Sequence, residues 1–448
     1  MNDSFETIAA LASGGGTAAV ALIRVSGPEA ESVTDAVTSG VASAATERRA
    51  TRAKILDHSG NVLDDVLLTV FRGGRSFTGE PVVEIACHGG RLITRRVLER
   101  LLDSGARLAE PGEFTQRAFL NGKLDLTQAE AVMDLISAQS DLAIRAAHEQ
   151  LEGGIGKKTT QLREDLIGLC AHLEAWIDFP EEDIDPDTGD VFKKRIGSVR
   201  AGISQLLSTA EQGRILREGV RTVICGRPNA GKSSLLNLLL GSERAIVSDE
   251  AGTTRDTIEE VVILDGVPLR LVDTAGLRAE AGGIEQEGIR RTMVEAERAD
   301  LLLVIRDATL PAHESCVDLP EGARRVVTVL NKSDLGEHPD WRTEEDVRLS
   351  CASGEGLNEL RSAIREALDL GEADWGEHAV AINTRHRDCL RRADISLVTA
   401  DELLDSAAAP ELAALELRGA LESLGEIAGK VDTEDILGAI FSQFCIGK

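Results

Sequence analysis

Nine residues near the middle of the chain, Gly226 to Ser234 (GRPNAGKSS), constrain its fold more than any other stretch. They match G-x-x-x-x-G-K-[ST] through Gly226, Gly231, Lys232 and Ser233, with apolar runs at 222–225 before and 235–240 after. A strand, a glycine-rich loop and a helix in that order are the context a phosphate-binding loop requires. The glycines let the backbone wrap tightly, so the N–H groups of Asn229, Ala230, Gly231, Lys232, Ser233 and Ser234 and the helix N-terminus can face phosphates. Lys232 would then reach the β- and γ-phosphates, and the Ser233 hydroxyl would ligate Mg²⁺. A glycine turn with no ligand is the plainer reading. The residues downstream argue against it.

Those residues come in the order that a guanine-nucleotide switch needs. The segment 251–256 (AGTTRD) offers Thr254 as a second Mg²⁺ ligand that closes on the γ-phosphate. Asp273, Thr274, Ala275 and Gly276 follow an apolar run at 269–272, which puts Asp273 at a strand end and lets the Gly276 amide sense the γ-phosphate. Asn331, Lys332 and Asp334 (NKSD) follow the run 325–330. The Asp334 carboxylate can accept from N1–H and the 2-amino group of guanine, whereas adenine would leave it without donors. Ser350, Cys351 and Ala352 stand where a short backbone loop contacts the guanine O6. Any one of these motifs can arise by chance; the ordered set predicts a hydrolase acting on GTP.

At 448 residues the chain is too long for one ordinary domain and implies about three. The start carries no basic leader and no apolar run is long enough to span a bilayer, so the expected location is the cytoplasm. Seven dispersed cysteines without C-x-x-C spacing fit reduced thiols better than disulfides. The eight histidines form no zinc-like cluster. A net charge of −27 opposes any role that rests on a generally basic surface, so RNA contact must use a local patch or a more basic partner.

Read in order, residues 1–120 suggest a small α+β domain, with strands at 18–25, 66–71 and 82–86 and a basic helix at 91–102. That helix carries Arg91, Arg95, Arg96 and Arg100, and a solvated amphipathic face explains it more simply than an anion site. From 121 to 217 the spacing becomes helical, with Ala129, Val132, Met133, Leu135 and Ile136 as one expected buried stripe. Pro180 and Pro186 interrupt it within an acidic segment that reads as a solvated connection. The nucleotide domain occupies 218–377, and helical periodicity through Leu403, Leu412, Leu415 and Leu417 returns over 378–448. The two helical pieces are expected to pack together around an inserted nucleotide domain. The chain ends in an unusually apolar tail, FSQFCIGK at 441–448, which either docks on the helical core or places its terminal lysine and carboxylate in a site.

With these pieces assembled, the chain resembles the MnmE (TrmE) family of tRNA modification GTPases across its whole length. The resemblance rests on FTGE at 77–80, HGG at 88–90, PGEF at 111–114, RAFLNGKLDL at 117–126, IDFPEE at 177–182 and the terminal FCIGK, besides the nucleotide motifs. It implies a tetrahydrofolate-binding N-terminal domain that pairs across a homodimer, a discontinuous helical domain and an inserted Ras-like P-loop domain. The folate, as the 5,10-methylene or 5-formyl form, would meet Arg24, Glu84, Lys123 and Lys448. The resemblance extends the GTP-binding set through Ser248, Asp249, Glu250, Ala251, Gly252, Thr253 and Thr254. It also implies a K⁺ ion held by Asn229 and by Ser248, Glu250 and Thr253. That ion would stand where an arginine finger acts and make hydrolysis depend on dimerisation. Leu277 replaces the glutamine that orients water in Ras-like enzymes, and the family match for that work is Glu285. By resemblance the chain acts with the flavoprotein MnmG (GidA) on C5 of the wobble uridine of tRNA, forming carboxymethylaminomethyl- or aminomethyluridine. A ribosome-associated regulatory GTPase is the alternative, although such proteins carry an evidently basic RNA-binding module.

Overall fold

The computed structural model describes residues 6–178, 190–242, 245–246, 259–272, 294–317, 319, 325–341, 346–368, 382–405, 410–429, 437, 440–442, 444 and 446–447. The chain forms two compact units, one from residues 1–133, 151–195 and 395–448 and one from 134–150 and 196–394.

The first unit holds a sheet of β1 (Ile8–Leu11), β2 (Val20–Ser26), β3 (Thr51–Leu56), β4 (Val62–Phe71), β5 (Val82–His88) and β6 (Arg107–Leu108). Its order is β3-β4-β5-β2-β1-β6, antiparallel except where β6 runs parallel to β1. One face is apolar by strict alternation. Ile23 and Val25, Ile55, Leu68 and Val70, and Val83 and Ile85 bury against the helices Ala30–Thr38 and Arg91–Leu102. The three expected strands correspond to β2, β4 and β5, and the basic helix spans 91–102 as expected. The first strand begins at Val20 rather than residue 18, although Ala18 N–H still donates to the Gly89 carbonyl just before it. The sequence hid β3 because Arg52 and Lys54 point outward between Ala53 and Ile55.

The opposite face carries a buried ionic knot. Arg117, 2% exposed, donates to Glu80 at 3.1 Å, to Glu113 at 2.8 Å and to the Glu6 carbonyl at 2.8 Å. Arg107 donates to the same Glu113 oxygen, Oε1, at 2.7 Å and to Oε2 at 3.1 Å. Burial pushes the Glu113 carboxyl up, but the hydrogen bonds from Arg107, the Glu110 amide and Arg117 outweigh it and hold its pKa below the ordinary value. Glu80 in turn accepts from Ser26 Oγ at 2.8 Å, so the knot ties β2, the 76–80 loop and the helix Glu113–Leu120 into one body.

In the same unit the helix Gly154–Asp178 packs along the helix Pro410–Ile427, so segments far apart in sequence do meet. The buried face of the second helix is made of Ala413, Ala414, Leu417, Ala420 and Leu424. Leu412 and Leu415, expected to carry the apolar periodicity, are exposed. Alanines let the two backbones approach closely, which leaves those leucines outside the seam. The expected stripe on the helix Leu126–Ser137 is corrected in the same way. Leu126 and Ala129 pack with Phe441 and Phe444 of the tail, while Ile136 lies one turn beyond that cluster and is exposed. The tail also reaches the N-terminal sheet domain, where Ile446 bridges to Pro111. A Cβ on Gly447, at φ 99°, would stand 2.0 Å from the Leu11 carbonyl oxygen. The acidic interruption around Pro180 and Pro186 lies outside the described residues.

The second unit contains a seven-stranded sheet: β7 (Val220–Gly226), β8 (Ala245–Ile246), β9 (Glu259–Leu264), β10 (Val267–Val272), β11 (Leu301–Asp307), β12 (Val326–Asn331) and β13 (Val347–Leu349). Its order is β13-β12-β11-β7-β10-β9-β8, parallel from β13 to β10 and antiparallel at β9 and β8. Both faces of the centre are buried. Leu301, Leu303 and Ile305 point to one core, while Leu302 and Val304 point to the other. That is why β11 reads as a continuous apolar run.

Breaking the knot should be costly, because Glu80 would remain nearly buried without its cation and Glu113 would keep Arg107 alone. Arg117→Leu is expected to lower stability by about 3–5 kcal/mol, measured by urea unfolding. A loss under 1 kcal/mol would mean that the knot contributes little to the fold.

Candidate nucleotide site

The strand order reverses at β7: the chain goes from β7 to β10 on one side and from there to β11 on the other. Ligands of open parallel sheets bind outside the carboxyl ends of the strands at such a point. The loop 226–231 leaves β7 at that end and enters the helix Lys232–Ser242, as the motif requires. Two of its glycines are forced by close approach. A Cβ on Gly226 would stand 2.5 Å from the Ile305 carbonyl oxygen, and one on Gly231, at φ 108°, would stand 2.1 Å from Asn331 Nδ2. Asn229 takes the left-handed conformation at φ 64° and is exposed at the loop's crest, with its side chain open to a ligand.

Lys232 curls over the loop, its Nζ donating to the Gly226 carbonyl at 2.8 Å and the Arg227 carbonyl at 2.9 Å. Burial holds this ammonium below the usual lysine value. A partly dehydrated cation centred on the loop is suited to phosphate, which can replace those neutral acceptors with charged ones. Ser233 is half-buried and Ser234 exposed in the first turn of the helix, while Ala230 is buried. Among the described residues, no cluster of three His, Cys, Asp or Glu side chains could hold a metal.

Asn331 joins the two halves of the site. At the end of β12 it is 3% exposed. Its Nδ2 donates to the Ala230 carbonyl at 2.8 Å, and its Oδ1 accepts from the Cys351 amide at 3.0 Å. One side chain thus fixes the phosphate loop against the 350–352 loop. Lys332 is left-handed at φ 68°, and its Nζ pairs with Asp307 Oδ2 at 2.5 Å. Burial raises the Asp307 carboxyl, but Lys332 and Thr309 outweigh that and hold it below the ordinary value. Asp334 is exposed and free to meet a base edge. It lies close enough to Cys351 to act on it: burial, and then the Asp334 charge, push the Cys351 thiol up to about 11. That value keeps the thiol neutral beside the guanine loop. Ser350 is buried, and its Oγ accepts from the Ser353 amide at 3.2 Å, shaping the turn that exposes Ala352.

Asp307 was not anticipated from sequence. Its signal was its place at the carboxyl end of a buried parallel strand, the same position that marks Asn331. Ser248, Asp249, Glu250, Ala251, Gly252, Thr253, Thr254, Asp273, Thr274, Ala275, Gly276 and Glu285 lie outside the described residues.

In the first unit, Arg24 and Glu84 face each other across β2 and β5, and Arg24 Nη2 donates to Glu84 Oε1 at 2.8 Å. The guanidinium stacks 5.4 Å from the Phe77 ring centroid and 5.6 Å from that of Phe114. These two expected ligand residues therefore form one preorganised, partly buried pair. Lys123 is exposed after the helix Glu113–Leu120, with its stem beside Gly79. Lys448 and Cys445 lie outside the described residues.

The Asn331 bridge generates a direct expectation. Asn331→Ala removes both bonds and should weaken guanine-nucleotide binding roughly 10- to 100-fold, as read by fluorescent-GDP titration. An unchanged Kd would show that the two loops hold their places without it.

The chain matches two family profiles, "GTP-binding protein TrmE N-terminus" over residues 7–123 and "MnmE helical domain" over 126–445. It is 51% identical to the tRNA modification GTPase MnmE of Akkermansia muciniphila over the full length of both chains. The corresponding protein of Geobacter sulfurreducens is 42% identical over 99% of each chain. Among solved structures, the G domain of the T. maritima FeoB iron transporter aligns with 33% of this chain and 98% of its own at 25% identity, with a TM-score of 0.25. Full-length identity at this level, with the phosphate loop and guanine loop joined as a GTP site needs, places the chain in the MnmE family of tRNA modification GTPases.

Proposed function

We propose that this GTPase is the GTP-hydrolysing component of the enzyme that modifies C5 of the wobble uridine in tRNA. It would work with the flavoprotein MnmG, with a tetrahydrofolate one-carbon unit supplying the methylene. The product would be carboxymethylaminomethyl- or aminomethyluridine, made in the cytoplasm. The observation that carries the GTP half is the Asn331 bridge between Ala230 and Cys351. It sets the phosphate-binding and base-reading loops at a fixed separation.

GTP would bind with its phosphates on the 229–234 amides and Lys232, and with its base between Asp334 and the 350–352 loop. Mg²⁺ would be held by Ser233 and Thr254 and would offset charge on the β- and γ-oxygens. The switch segments at 248–254 and 273–276 would respond to the γ-phosphate. K⁺ would bind Asn229, Ser248, Glu250 and Thr253 when two nucleotide domains meet, and Glu285 would orient the attacking water. The exposed, left-handed Asn229 suits the first of these roles.

The folate would lie on the Arg24–Glu84 face of the N-terminal sheet, with Lys123 and Lys448 completing the set. Two observations support that placement. Arg24 and Glu84 are already aligned and stacked, and the docked tail brings Gly447 against Leu11 at the end of β1. Domain limits of 1–120, 121–217, 218–377 and 378–448 follow from this reading, as does a homodimer formed through the N-terminal domain.

Steady-state GTP turnover tests the hydrolytic half. K⁺ should accelerate it well above the rate in Na⁺, and Glu285→Ala should slow it at least 100-fold while leaving nucleotide Kd unchanged. Equal rates in the two salts would remove the potassium role, and unchanged turnover in the variant would remove Glu285 from catalysis.

A further inference from the structure

A hollow of about 310 Å³ lies in the N-terminal domain between the 13–18 loop and the start of the helix Arg91–Leu102. Its floor is apolar, with Leu11, Ala18, Ala21 and Leu98, and its rim carries Arg91 and Arg95. It opens beneath the helix-bearing face of the sheet, whereas Arg24 and Glu84 point from the other face.

Three features of this place have no explanation in the fold. First, Gly14, Gly15 and Gly90 have nothing within 4 Å of where a Cβ would be, and none has the positive φ that would require glycine. Of these, Gly14 lines the hollow, where any larger side chain would narrow it. Second, Arg91 and Arg96 are exposed and have no protein partner among the described residues. Arg95 pairs with Glu99 at 3.3 Å, but both side chains are more than half exposed, a pair too weak to hold it from a better anion. Third, the helix carries four arginines against the single acid Glu99, in a chain whose net charge is −27. Nearby, Asp64 is nearly buried and accepts from the His88 amide at 2.9 Å. Its Oδ1 also accepts a hydrogen bond from His88 Nδ1–H at 2.6 Å.

We propose that this hollow is an RNA-docking site, which takes one nucleotide of the tRNA chain. A backbone phosphate sits on Arg91 and Arg95, helped by the uncapped first turn of the helix, and the nucleoside lies over the apolar floor between the glycines. Arg96 meets the next phosphate. The volume is at the lower end of small-ligand pockets, as suits one nucleotide held at its edge. Phosphate contacts of this kind supply affinity and register rather than sequence readout. The proposal rests on the tRNA reading above and adds the surface by which an acidic chain can hold an acidic substrate.

Fluorescence anisotropy of labelled tRNA on the full-length chain, with and without its flavoprotein partner, tests it across 50–200 mM KCl. Arg91→Ala/Arg96→Ala should weaken binding at least 10-fold at low salt and reduce the log–log salt slope by roughly 1.5, the loss of two phosphate contacts. Gly14→Val should weaken binding while leaving that slope unchanged, because it fills space without removing charge. GTP turnover in both variants should stay at the wild-type rate, and wild-type circular dichroism and unfolding midpoints certify that the N-terminal domain folds. If wild type binds tRNA and the arginine variant binds equally with the same slope, the docking site is wrong and the tRNA reading stands. Free uridine monophosphate competing as effectively as tRNA would overturn the RNA proposal in favour of a small-nucleotide site. Absence of tRNA binding by wild type under every condition would overturn both.

Discussion

The nucleotide site depends on two hydrogen bonds made by one amide side chain. The Ala230 carbonyl and the Cys351 amide belong to loops that follow different strands, and Asn331 satisfies both from the end of a third. Because Asn331 is buried, neither bond is diluted by water, and loss of either would leave a buried polar group unpaired. The same side chain explains why Gly231 must be glycine, since Nδ2 occupies the volume a Cβ would need. Lys332 adds a second anchor by leaving the strand in a left-handed turn and reaching Asp307. Asp334 is thereby left exposed one turn later.

The N-terminal domain solves a different problem with similar means. Its sheet has one ordinary apolar face and one face that carries buried ion pairs. The Arg117 knot adds ionic ties to the second face, beside the small apolar cluster of Ile8, Ala10 and Phe114. A buried ion pair seldom adds net stability over a hydrophobic equivalent, but it fixes the 76–80 loop and the helix Glu113–Leu120 relative to β2. Arg24 then lies between Phe77, from that loop, and Phe114, from that helix, aligned with Glu84. The tail adds its own constraint, because Gly112 and Gly447 each sit where a Cβ would strike backbone.

Much of this was legible in the sequence, and what was legible was local. The phosphate loop could be read because its glycines, lysine and serine act within nine residues of each other. The guanine motif located Asn331 and Asp334 but gave no hint that Asn331 spans 101 residues to Ala230. Asp307 escaped notice because a lone aspartate after an apolar run has no spacing signature. Apolar periodicity identified helices yet misplaced their seams: Leu412, Leu415 and Ile136 looked like core and are exposed, while alanines line the packed face. Periodicity reports which residues share a face, not which face meets a partner. Strand β3 was missed for the converse reason, since its outward cations masked an inward apolar row.

The most direct measurement is mass analysis of wobble nucleosides in tRNA from cells that lack this gene, complemented with wild type or with Lys232→Ala. The predicted result is loss of carboxymethylaminomethyl- and aminomethyluridine, restored by wild type and not by the lysine variant. Persistence of the modified uridines in the deletion strain would contradict the proposed role in tRNA. Full restoration by Lys232→Ala would sever that role from the nucleotide site.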